Sequence, residues 1–184
     1  FLAASNHKYD TADYHRIDPT FGTKPDFERL TREAQRLGIR IVPDASLNHT
    51  GSDSVYFDRY GNHAGPDGRS RGAFAFGKIN PDSPYAGWYR FDARQIDPGK
   101  QYQGWTGVAD LPELDKQSPA WRDFAYRAPD SVTRRWLQAG AAGCGRFGGD
   151  SAGGDDCRLV AVDDAPFERH RPTGIVGARR QPRQ

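Results

Sequence analysis

Apolar residues recur at helical spacing in two stretches of the chain. Phe27, Leu30, Ala34 and Leu37 share one face, opposite Glu28, Arg29, Arg32, Glu33 and Arg36, which is the periodicity of an amphipathic helix. Thr23, with Asp26 three residues on, is a capping pattern, so the spacing predicts a helix over 24–37. Gly38 then serves as its C-terminal cap. Ile39-Arg40-Ile41-Val42 is short and mostly β-branched, and Pro43 ends it, so a buried strand is predicted over 39–43. The second stretch, Trp121, Phe124, Ala125, Ala128, Val132 and Trp136, opens at Ser118-Pro119, an N-cap followed by a first helical residue. Pro129 inside it removes a backbone donor and predicts a kink or split.

The remaining stretches lack such periodicity. Residues 5–22, SNHKYDTADYHRIDPTFG, hold two histidines, two tyrosines and three aspartates and read as a loop of the kind that carries sites. Asp13 and Asp18 in it read as turn caps, and neither His15 nor, further on, His63 belongs to a motif. Beyond Pro43, Asp44, Asn48 and His49 fall within six residues of one strand end, where parallel α/β folds keep their chemistry. Alone, that spacing fits a turn cap or a satisfied structural polar group equally well. Residues 50–117 are rich in glycine, proline and aromatics. A connection of that length predicts a small irregular subdomain, most of its aromatics forming its own core.

Three segments in order, His7-Lys8-Tyr9-Asp10-Thr11-Ala12-Asp13-Tyr14, Ile17-Asp18-Pro19-Thr20-Phe21-Gly22 and Asp44-Ala45-Ser46-Leu47-Asn48-His49, resemble the α-amylase family, glycoside hydrolase family 13. The wording SNHKYDTADY is similar to the neopullulanase, cyclomaltodextrinase and maltogenic-amylase branch. The resemblance runs from residue 1 to about residue 142. It implies an α/β fold, part of a (β/α)8 TIM barrel with an irregular domain B inserted after the third strand as one wall of the substrate cleft. Aromatics there, Trp105 among them, could stack on sugar rings, although most form the insertion's core. Residues 1–49 would be the second βα loop, second helix and third strand, 50–117 domain B, 118–142 the third barrel helix, and 143–184 a divergent tail. A whole barrel needs about 250 residues. With 184 residues, no methionine and no signal-peptide pattern at Phe1-Leu2-Ala3-Ala4, the chain is read as an internal fragment; that start leans towards the cytoplasm without deciding location.

The resemblance also implies roles. Tyr9 occupies the position of the tyrosine under the sugar at the cleavage subsite, and His7 and His49 those of histidines that donate hydrogen bonds to that sugar's hydroxyls. Asp44 would brace the site floor. Asn48 matches an asparagine that binds calcium in many members, an amide oxygen being a hard ligand; no other cofactor is required. The implied reaction is retaining hydrolysis of α-glucosidic bonds in maltodextrins, starch, pullulan or cyclodextrins, with α-glucan as partner and a homodimeric parent enzyme as one arrangement. Val108-Ala109-Asp110-Leu111-Pro112-Glu113-Leu114-Asp115 stands where the family has MPKLN or QPDLN and matches neither, which leaves bond preference open.

In the family the nucleophile lies in a Gly-x-Arg-x-Asp pattern on the fourth strand. Here Gly143-Cys144-Gly145-Arg146-Phe147-Gly148-Gly149-Asp150 separates Arg146 and Asp150 by four, which places the carboxylate about 7 Å too far along a strand. Asp150 is therefore a nucleophile candidate against its own spacing, and the tail is read as a reading-frame error or truncation, or as a divergent native segment. Positioning without the carboxylate pair cannot supply the chemistry, so the isolated chain is expected to be inactive. The alternatives are a non-catalytic α-glucan-binding protein and a translated gene fragment without function.

Composition narrows the field little further. A formal charge of +2 gives no reason to expect nucleic acid or an anionic membrane as partner, and no apolar run reaches the length of a membrane span. Cys144 and Cys157 form neither a CxxC pair nor a metal-spaced cluster.

Overall fold

The computed structural model describes residues 1–141 and the backbone of Gly145–Arg146. The readings of the rest of 143–184, including Asp150 as nucleophile, lie outside the described residues. The chain is α/β, and no described helix is long and apolar enough to cross a membrane.

Strand β1 (Leu2–Ala3) pairs antiparallel with β2 (Thr11–Asp13), and the turn between them carries His7 and Tyr9. β2 interrupts the loop expected over 5–22. Its outer edge is also used, because Gly51 donates to the Thr11 carbonyl and Val55 to the Ala12 carbonyl, each at 3.0 Å.

Helix α1 (Lys24–Arg36) starts and stops where its caps dictate. Thr23 and Asp26 exchange side-chain and backbone hydrogen bonds in a full capping box. At the other end Gly38 adopts φ 70°, and the Gly38 and Ile39 amides close back on the Gln35 and Ala34 carbonyls, a Schellman motif that a left-handed glycine permits. The buried face differs from the expected one. Thr31 and Ala34 are buried, whereas Leu30 and Leu37 are 53% and 75% exposed. What fixes the helix is a contact with the chain near residue 140: the Thr31 hydroxyl donates to the Ala139 carbonyl at 3.1 Å, and Phe27 meets Trp136 edge to face.

The buried strand predicted over 39–43 is not observed. The extended segment falls later, at β3 (Asp44–Ala45), and Ile39 and Val42 are about half exposed. Strand geometry persists where a partner supplies hydrogen bonds, and among the described residues β4 (Gly145–Arg146) runs parallel to Asp44–Ala45.

The second predicted helix is split as Pro129 requires. α2 (Pro119–Arg122), capped by Ser118, runs into a π-turn over Asp123–Arg127. Ala128 is extended at ψ 151°, the conformation proline imposes on the residue before it. α3 (Val132–Gln138) follows.

Residues 50–117 contain short 3-10 turns and isolated bridges. Aromatic packing holds them together. Phe57 lies against Phe74, Tyr89, Phe91 and Tyr102, and Tyr56 against Tyr85, Trp88 and Phe124, with centroids 4.8–6.1 Å apart. Each such ring buries about 150–250 Å², roughly 4–6 kcal/mol gross, which substitutes for long hydrogen-bonded elements.

Tyr14, fully buried, joins these parts. Its amide donates to the Tyr56 hydroxyl at 2.9 Å, its carbonyl accepts from the Trp136 indole at 2.9 Å, and its phenol points at the Ser46 and His49 carbonyls. Replacing Tyr14 by Phe leaves both carbonyls without that donor. The expected loss is about 1–3 kcal/mol, read as a lower urea midpoint with an unchanged slope; an unaltered midpoint would remove Tyr14 from this role.

Candidate sugar-binding site

The site grows from the β1–β2 turn and the segment after β3. Asp10 fixes the turn by accepting from the Ser5 amide at 3.0 Å and from the Ser5 hydroxyl. Lys8 takes a left-handed conformation, φ 66°, and its ammonium lies 2.7 Å from the nearly buried Asp18. That ion pair, with the Thr20 hydrogen bonds, holds the Asp18 carboxyl well below the usual carboxylate range. Asp18 also caps the 3-10 turn at Pro19, and Asp13 accepts from the His15 amide, so both are turn caps as expected. The turn can approach residue 51 because Gly51 lacks a side chain: a Cβ there would stand 2.7 Å from the Asp10 carbonyl oxygen.

His7, Tyr9 and His49 come together. The Tyr9 amide donates to His7 Nδ1 at 3.1 Å, which leaves Nε2 as the protonated nitrogen of an exposed ring. The two rings stack with centroids 5.9 Å apart, and Tyr9 is 44% exposed. His49, 2% exposed, adjoins them through the Tyr9 backbone, with Nε2 3.0 Å from the Tyr9 carbonyl and the Ser46 hydroxyl beside its ring. An acceptor at Nε2 assigns the proton there. A sugar hydroxyl would reach that N–H only by displacing the Tyr9 carbonyl. Burial lowers the His49 pKa, the Tyr9 carbonyl and Asp10 opposing in part, which favours the neutral ring.

Asn48 belongs to the same segment through the Ser46 hydroxyl, which donates to its Oδ1 at 2.8 Å. Asp44 is exposed on β3, and no hydrogen bond joins it to His49 among the described residues. Among the described residues, the group of acidic and histidine side chains close enough to share an ion is Asp53, Asp58 and His63, all donor atoms within 4.8 Å of one another. Asn48 Oδ1, the oxygen that the resemblance gives to calcium, already accepts from the Ser46 hydroxyl.

Residues 48–52 run antiparallel to 110–114, with Thr50 donating to Pro112 and Leu114 to Asn48. This brings in Trp105, whose ring stacks on His49 with centroids 4.8 Å apart and planes 26° apart. Sequence reasoning did not single out Trp105, Ser46 or Asp10. Trp105 lies 56 residues from His49, and its only signal was membership of an aromatic-rich stretch.

Similarity to known proteins covers this site and extends beyond it. Residues 1–145 match the family described as α-amylase, catalytic domain. An amylopullulanase of Thermoanaerobacter thermohydrosulfuricus is 34% identical over 176 residues, 91% of this chain and 11% of that protein, which carries similarity past residue 145. Neopullulanase 2 of Thermoactinomyces vulgaris is 31% identical over 78% of this chain and 22% of its own length. Among solved structures, the cyclic α-maltosyl-(1→6)-maltose hydrolase of Arthrobacter globiformis in complex with maltose superposes with a TM-score of 0.59 at 29% identity, covering 77% of this chain and 28% of that one. The chain thus spans about a tenth to a quarter of these relatives. With the family match covering more than half of its residues and the motif segments meeting at one site, this chain belongs to the α-amylase catalytic-domain family of glycoside hydrolases.

Proposed function

We propose that this chain carries the sugar-positioning part of a hydrolase acting on α-glucosidic bonds, in a (β/α)8 barrel whose residues 50–117 form the inserted domain B. The observation that carries the reading is the exposed Tyr9 ring with His7 stacked beside it and His49 on its backbone carbonyl. A pyranose presents a face of C–H groups that packs on an aromatic ring while its hydroxyls stay free. His7 Nε2 is the donor available to one of them, and His49 sets the height of the platform by holding the Tyr9 carbonyl. The relatives' names, amylopullulanase and neopullulanase, support α-glucan as the substrate class.

Retaining cleavage needs a carboxylate nucleophile and a carboxylic acid about 5–5.5 Å apart. None of the residues assembled around Tyr9 fills either role. The 184-residue chain should therefore bind maltotriose saturably in calorimetry and release no reducing sugar. Tyr9→Ala should weaken binding about tenfold, the equivalent of about 1.4 kcal/mol. Sustained turnover, or binding indifferent to Tyr9, would overturn the reading.

Burial also lowers the His15 pKa, so folding favours the neutral form of both His15 and His49. A base with a depressed folded-state pKa binds fewer protons folded than unfolded, so stability is full above the unfolded value of about 6.5 and falls below it. Urea midpoints should be level from pH 8 to about 6.5 and decline towards pH 5. His15→Gln should flatten part of that decline, and an unchanged slope would show that His15 titrates normally.

A further inference from the structure

Three of the four tryptophans, Trp88, Trp121 and Trp136, are core residues 3–6% exposed. Trp105 is half-buried and stands outside that core. One face lies on His49, and its indole N–H has no hydrogen-bond partner among the described residues.

The backbone around Trp105 is wound to hold it there. Thr106 adopts φ 52° and Gly107 φ 83°, a left-handed pair that a β-branched residue enters only when its surroundings impose it. The Thr106 hydroxyl donates to the Trp105 carbonyl at 2.7 Å, and the Val108 amide donates to the same oxygen at 3.1 Å. At Gly104 a Cβ would fall 2.1 Å from the Val108 oxygen, so the loop closes only with glycine. The Trp105 amide is tied to the Leu111 carbonyl at 2.8 Å, fixing the loop to the strand-like segment beside residues 48–52. A large planar side chain kept out of the core, locked in place and stacked on the histidine that carries the Tyr9 carbonyl is arranged to receive a second flat ligand surface.

We propose that Trp105 is a second sugar-stacking platform of this site, taking the glucose unit next to the one over Tyr9. The inference rests on the α-glucan reading above and extends it: binding is a two-ring event, and Trp105 sets its dependence on chain length. Its indole N–H supplies a donor to a hydroxyl of that second unit, and the His49 ring beneath keeps the indole plane fixed.

The test is titration of the full 184-residue chain with glucose, maltose and maltotriose, followed by heteronuclear NMR. The variants are Trp105→Leu, apolar but not planar, and Trp105→Phe, planar but without the N–H. The unmodified chain should bind maltose and maltotriose more tightly than glucose. Trp105→Leu should lose about tenfold for the two longer sugars with glucose unchanged, while Trp105→Phe should keep most of the length preference. Equal weakening for all three sugars would mean that Trp105 merely props His49, and unchanged affinities would mean that it touches no sugar; either result overturns the proposal. If no sugar binds the unmodified chain, the functional reading falls with it, whereas Tyr9-dependent binding indifferent to Trp105 leaves that reading intact and removes only this inference. A spectrum that collapses for Trp105→Leu but not for Trp105→Phe passes the decision to Trp105→Phe, whose loss of length preference would count against a planar platform.

Discussion

One buried phenol, Tyr14, meets three separate parts of the chain through hydrogen bonds. Its own strand β2 ends at residue 13; from there its amide reaches Tyr56, its carbonyl Trp136, and its hydroxyl the Ser46 and His49 carbonyls. Its ring packs on Phe1, Tyr56, Trp121 and Phe124. Segments with little regular structure need such a node, because each buried amide or carbonyl without a partner is destabilising. Burial disfavours the phenolate and raises its pKa, so burial favours keeping the donor proton. The turn bearing Tyr9 and the segment bearing His49 are held in register through it.

The site is built from rings rather than charges. His7 on Tyr9 and Trp105 on His49 give two stacked pairs, bridged by the hydrogen bond between His49 and the Tyr9 carbonyl. Each pair adjoins a left-handed non-glycine residue, Lys8 in one and Thr106 in the other. Such residues cost of order 1–3 kcal/mol each and are tolerated where the surroundings over-determine them. At Lys8 the ion pair with Asp18 does so, and at Thr106 the closed loop from Gly104 to Val108. An aromatic, rigid surface suits a ligand whose recognition depends on C–H faces and hydroxyl direction.

What the sequence determined by itself was local chemistry. Thr23, Asp26 and Gly38 specify both ends of α1 because capping involves residues only a few positions apart, and Pro129 specifies the break before α3 for the same reason. The family was legible because its motif residues are contiguous in the chain. Tertiary structure decided what depends on distant partners. The face of α1 that is buried follows from Thr31 meeting Ala139, 108 residues away, so periodicity alone misplaced Leu30 and Leu37. The strand lies at Asp44–Ala45 rather than 39–43, beside the parallel neighbour Gly145–Arg146 that supplies its hydrogen bonds among the described residues. The His49 proton goes to the Tyr9 carbonyl, and Trp105 reaches His49, through folding of the 50–117 segment on an aromatic core. No spacing in the sequence encodes such a contact, since the physical force behind it, burial of rings against one another, is blind to separation along the chain.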